Sequence, residues 1–83
     1  MAAEPKSRGK GFQDERYRIV ISELVAERKR QRLSQEALAD RLDRHQQFVS
    51  RYEIGERRLD IVEFVDVAKA LGLNPADMVQ NIS

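Results

Sequence analysis

Cysteine is missing from these 83 residues, histidine occurs once, and glycine and proline are scarce at four and two. Without cysteine there is no disulfide framework, no thiolate zinc site and no cysteine nucleophile, a usage that suits a reducing compartment. Only His45 can supply an imidazole. Long apolar runs are also absent. The longest stretches are three residues, as at Ile19 to Ile21 and Leu24 to Ala26, against the roughly 18 that a bilayer span needs. Met1 to Gly11 carries charge but no apolar core, so it does not read as a secretory signal. These absences point to a soluble cytoplasmic protein with no membrane partner. At 9.6 kDa the chain has room for one small core. Its 41% hydrophobic and 35% charged residues exclude disorder and a collagen-like chain and favour helices.

Charge is informative only in pieces. Residues 1 to 27 hold five basic and five acidic side chains, residues 28 to 58 nine and five, and residues 59 to 83 one and four. The balances are 0, +4 and −3. A basic middle beside an acidic end places any polyanion-binding surface between Arg28 and Arg58. Charge alone does not separate such a surface from an ordinary solvated helix face.

Met1 to Gly11, with Pro5, Gly9 and Gly11, reads as a flexible arm carrying Lys6, Arg8 and Lys10, and residues 12 to 83 read as the folded domain. From Asp14 to about Arg32, Tyr17, Ile21, Leu24 and Val25 form one apolar stripe, which predicts a first helix. Ser34 stands as a cap before Gln-Glu-Ala-Leu-Ala and opens a second helix ending near Leu42. After the polar break Asp43-Arg44-His45, residues Gln46 to Glu53 make two turns before Gly55, whose missing Cβ suits a left-handed stop. Asp60 and Glu63 form a variant capping box for a fourth helix, striped by Ile61, Phe64, Val65, Ala68 and Leu71 and closed by Gly72. Asn74 then Pro75 place a cap and a first-turn proline before a fifth. Nothing alternates with period two, so no strand is expected. The expected core is Leu24, Leu38, Leu42, Val49, Tyr52, Leu59, Ile61, Phe64, Val65, Ala68 and Leu71.

On a helical wheel, Gln46, Ser50, Gln47 and Arg51 share one polar arc of roughly 140°, with Phe48, Val49 and Tyr52 beside it. Glutamine matches the N6 and N7 of adenine, and arginine the O6 and N7 of guanine, in the major groove. The competing reading is four ordinary exposed polar residues. The three-residue connection between two short amphipathic helices favours the first, because it is the spacing of a helix-turn-helix, here residues 34 to 54. Gln35 then sits at the amino-terminal end of the second helix, where free amides and the helix dipole already favour a phosphate.

The run Leu33-Ser-Gln-Glu-Ala-Leu-Ala-Asp-Arg-Leu42, followed by Gln46-Gln-Phe-Val-Ser-Arg-Tyr-Glu-Ile-Gly55, resembles the helix-turn-helix of phage repressor and Cro proteins and their bacterial relatives, the XRE family. The likeness continues through Ala68-Lys-Ala-Leu-Gly-Leu73 and covers roughly residues 20 to 80. It implies an all-α, five-helix domain of the λ-repressor type that regulates transcription, most simply as a repressor, by binding double-stranded DNA as a homodimer. It also implies that Arg28 and Glu53 pair across the helix junction as an orienting ion pair, which removes Arg28 from the direct DNA contacts.

Three departures from the family pattern stand out. Asp43 occupies the turn position usually held by glycine, and aspartate tolerates a left-handed backbone less well. His45 replaces the usual Ser or Thr cap; it is either a plain exposed residue or, when protonated, a phosphate donor. The basic arm and the long first helix exceed the minimal domain, and the arm is either inert or a DNA contact.

Gln46, Gln47, Ser50 and Arg51 are thus expected to read bases, with Phe48 at a thymine methyl, and Gln35, Arg44, Arg57 and Arg58 to hold phosphates. Leu73, Met78, Val79 and Ile82 crowd more apolar surface into the last eleven residues than one terminal helix needs. Met78, Val79 and Ile82 are therefore expected at a dimer interface, the alternative being that they close the monomer core. With one histidine, no cysteine, no glycine-rich phosphate loop and no metal spacing, catalysis, metal and cofactor find no support. The lack of a separate ligand domain argues against a small-molecule effector. A rival reading is a protein-interaction module or antitoxin that keeps the fold with DNA binding secondary. A phage, restriction-modification or toxin-antitoxin setting is not separable from one chain.

Overall fold

A computed structural model describes residues 14 to 83; the basic arm expected at residues 1 to 11 lies outside the described residues. Five helices follow one another: α1 (Glu15–Arg30), α2 (Gln35–Leu42), α3 (Gln46–Glu53), α4 (Ile61–Ala70) and α5 (Pro75–Asn81). The fold is all-α, with no strand among the described residues.

Local chemistry sets the helix starts. Asp14, Ser34 and Asn74 accept the N–H of Arg16, Ala37 and Ala76 at 2.8, 2.9 and 2.8 Å. Asp60 and Glu63 complete the capping box in both directions, at 2.7 and 3.0 Å. Only α3 lacks a side-chain cap, because His45 makes none.

The helix ends share one device. After α1, α2, α3 and α4 the chain turns left-handed at Arg32, Asp43, Gly55 and Gly72, with φ of 59°, 57°, 87° and 78°. At each turn the next N–H returns to a carbonyl five residues back: Leu33 to Arg28, Arg44 to Ala39, Glu56 to Arg51 and Leu73 to Ala68, at 3.0, 2.9, 2.9 and 2.8 Å. Gly55 and Gly72 take up this conformation freely, whereas Arg32 and Asp43 adopt it against a Cβ penalty. The turn at Asp43 is therefore built despite its missing glycine. That at Arg32 ends α1 two residues before the apolar stripe suggests.

Leu24, Leu38, Val49, Tyr52, Val67 and Ala68 form the sealed centre of the core. α3 packs on α2 and α1, and α4 on α2 and α5. Gln31 and Arg41 donate to the Leu71 and Ala70 carbonyls at 2.7 and 2.9 Å, satisfying free acceptors at the end of α4. The Tyr17 hydroxyl accepts the Leu59 N–H at 3.0 Å and ties α1 to the segment before α4. Among the described residues the buried Tyr52 hydroxyl finds no partner, and burial pushes its pKa up, so it stays protonated.

The core differs from the expected set: Val20, Ile21, Ala39 and Val67 join it, and other residues change place. Ile61 is 69% exposed, because as the first residue of α4 it lies beyond the elements packed against that helix, which buries Phe64, Val67, Ala68 and Leu71. Leu42 and Val65 are only half-buried against the core. Met78 is 5% exposed, so it closes the monomer core and is not available to a partner. Phe48, expected beside DNA, is buried as well.

Candidate nucleic-acid interface

α3 is fixed from both sides. Its apolar side buries Phe48, Val49 and Tyr52, with the Phe48 and Tyr52 rings edge to face at 5.5 Å. Its carboxyl end is held by Glu53, which accepts Arg28 Nε at 2.6 Å and Nη2 at 2.9 Å, while Arg28 Nη1 donates to the Leu33 carbonyl at 2.7 Å. Arg28 is 8% exposed, and the Glu53 hydrogen bonds raise its already high pKa, so the guanidinium stays charged despite its burial. All three donors belong to Arg28 near the end of α1, and their acceptors lie at the end of α3 and in the link before α2, which ties α1, α2 and α3 together.

The network continues to the outer surface. Gln35 Nε2 donates to Glu53 Oε1 at 2.9 Å, and Gln35 Oε1 accepts from Gln46 Nε2 at 2.9 Å. Gln35 at the start of α2 and Gln46 at the start of α3 are thereby joined side by side. Gln46, Gln47 and Arg51 are exposed and Ser50 is half-buried. Gln47, Ser50 and Arg51 make no side-chain hydrogen bond among the described residues, so their polar groups are unspent.

Beside this arc lies a second cluster that sequence spacing does not reveal. Glu63 grips Arg57 in a two-point fork, 2.8 Å to each Nη, and takes Arg44 Nη2 at 3.3 Å. Both guanidiniums lie on the Phe48 ring, at 4.0 Å for Arg44 and 5.1 Å for Arg57. Phe48 is thus covered by arginine rather than free for a thymine methyl. The hydrogen bond from Arg57, then those from Asp60 and Arg44, hold the Glu63 carboxyl down to about 2 against the opposing effect of burial. Capping boxes announce Glu63 only as a backbone partner. Its arginine partners come from two other loops, where no periodicity brings distant residues into register.

Arg58 is exposed, forms no ion pair among the described residues, and stacks 5.2 Å from the Tyr17 ring. The structure therefore brings Gln35, Arg44, Gln46, Gln47, Ser50, Arg51 and Arg57 onto two adjoining clusters around α3. Val79, 45% exposed, and half-buried Ile82 lie apart from these, lining an apolar groove of about 340 Å³ with Tyr17, Leu59 and Ile61. Among the described residues no group of three or more potential metal ligands converges, and no helix is long and apolar enough to cross a membrane.

The helix-turn-helix family model HTH_3 matches residues 24 to 78. A solved structure, an XRE-family like protein from Pseudomonas syringae pv. tomato str. DC3000, is 37% identical and superposes with a TM-score of 0.76. That match covers 81% of this chain and 82% of the other. The chain belongs to the XRE family. XRE proteins of this helix-turn-helix type are DNA-binding regulators, a binding class and not an enzymatic one. A search of curated proteins returns no match.

Proposed function

We propose that the protein is a sequence-specific repressor that binds a two-fold-related operator as a dimer, with α3 in the major groove. The observation that carries this reading is the outer face of α3. Gln47, Ser50 and Arg51 keep their hydrogen-bonding groups unspent on a helix whose back is buried and whose tilt is locked by the Arg28 and Glu53 pair. An XRE scaffold retained only for protein contacts has no need of that combination.

In this reading Gln46, Gln47, Ser50 and Arg51 face base edges, Gln46 being aimed by its bond to Gln35. Gln35, Arg44, Arg57 and Arg58 hold the sugar-phosphate backbone on either side. Gln35 has one amide N–H left after its bond to Glu53, enough for one phosphate oxygen. Subunits join through the groove edged by Val79 and Ile82. A compact domain that covers an operator blocks access to it without any further surface, which makes repression the simplest sign of regulation in the cytoplasm. Fragments of genomic DNA incubated with the protein across a salt series test the reading. A subset that stays bound as salt rises supports it, and uniform release of all fragments contradicts it.

A further inference from the structure

Glu63 does more than cap α4. Its two carboxylate oxygens take three arginine N–H donors, two from Arg57 and one from Arg44, besides the Asp60 backbone N–H at 3.0 Å. Capping requires only the last. A carboxylate seated in a guanidinium fork has the geometry and charge of a phosphate oxygen pair seated the same way. Glu63 thus fills the position that a DNA phosphate needs on both arginines.

We infer that Glu63 is an intramolecular competitor for phosphate, which holds Arg44 and Arg57 back from indiscriminate DNA binding until base contacts from α3 seat the domain on its operator. The inference deepens the DNA-binding reading above and rests on it. Non-specific affinity comes almost wholly from phosphate contacts, whereas specific affinity adds base contacts. A carboxylate that must be displaced before either arginine meets a phosphate weakens encounters built on phosphate contacts alone, while on the operator the base contacts of α3 help to supply the free energy that displaces it. Its depressed pKa, about 2, keeps Glu63 charged at any working pH, so DNA and not protonation has to displace it. Stacking of both guanidiniums on Phe48 keeps them in place when the carboxylate lets go.

Glu63→Gln tests this, because glutamine still accepts the Asp60 N–H and preserves the capping box. Binding to a random-sequence duplex of about 20 base pairs is followed by fluorescence anisotropy between about 0.05 and 0.2 M salt. Glu63→Gln should bind about threefold to fivefold tighter at 0.1 M salt, with a salt slope steeper by about one unit. Asp77→Asn on α5 makes the same change in net charge and should shift affinity by less than about twofold. With Arg44 and Arg57 both replaced by alanine, Glu63→Gln should give no gain. A second measurement leaves Glu63 intact: Arg57→Ala must reduce the salt slope on random DNA less than Arg58→Ala, whose guanidinium no carboxylate among the described residues holds. Unchanged or weaker binding by folded Glu63→Gln overturns the proposal, as does an equal gain from Asp77→Asn or an equal slope loss from Arg57→Ala and Arg58→Ala. If the unaltered protein fails to bind the duplex at low salt, the DNA-binding reading falls with it; if it binds and Glu63→Gln does not differ, the competitor role alone falls.

Discussion

Arg51 and Glu53 stand two residues apart on α3 and do opposite work. Arg51 is exposed with its donors unspent, so Arg51→Ala should leave stability intact while costing about 1 to 3 kcal/mol of operator affinity and relaxing preference at one base per half-site. A base-preference profile that does not change would remove Arg51 from the reading set. Glu53 is sealed against Arg28, so Glu53→Ala strands a buried guanidinium and should lower stability by about 3 kcal/mol in urea unfolding. Which acids pair with which arginines was legible only where a family pattern spoke. The resemblance implies the Arg28 and Glu53 pair, but the sequence shows Glu63 merely as a cap, since Arg44 and Arg57 reach it across two loops. The fates of Phe48 and Met78 were hidden for a related reason. A hydrophobic residue at the edge of a stripe is placed by its three-dimensional neighbours, and a wheel does not contain them.

At the scale of elements, caps and stripes placed α2 to α5 closely, because Ser34, Asp60 and Asn74 each satisfy a first-turn amide and two glycines stop α3 and α4. The left-handed stop of α1 at Arg32 carried no such signal, since arginine has no preference for that backbone. The non-glycine stop at Asp43 and the uncapped start of α3 each give a prediction. Asp43→Gly should raise stability by about 1 kcal/mol by relieving the Cβ penalty at φ 57°, and His45→Ser should add about 1 kcal/mol by giving α3 the cap it lacks. Thermal unfolding of the two variants checks both, and a fall in stability for Asp43→Gly would mean that its side chain holds the turn. Ion pairs within α1 and between α4 and the loop before it also set the response to acid. Hydrogen bonds from Arg30 hold Glu27, and from Arg57 hold Glu63, down to about 2, below the ordinary 4.5. Their folded-state pKa values are depressed, so this contribution is complete above about pH 4.5 and is lost as pH falls toward 2. Stability should stay flat above about pH 5.5 as far as these groups are concerned, and Glu63→Gln should soften the acid loss in a pH series of unfolding curves.

The whole molecule divides its surface between a basic, polar face around α3 and an apolar groove between α1 and α5. Because Met78 is spent on the monomer core, Val79 is the exposed apolar residue of α5 on which association should depend. Val79→Asp should therefore leave helicity unchanged, give a monomer by sedimentation, and weaken operator binding at least tenfold, since one recognition helix spans only a few base pairs. A folded dimer would move the interface elsewhere, with the exposed side of α1 next in line. Selection of bound sequences from a random duplex library reaches the central claim most directly. The account predicts a two-fold-related motif with half-site centres about one helical turn, 34 to 36 Å, apart, degraded at one position per half-site by Arg51→Ala. No enriched sequence, or a motif indifferent to every substitution on the polar arc of α3, would contradict it.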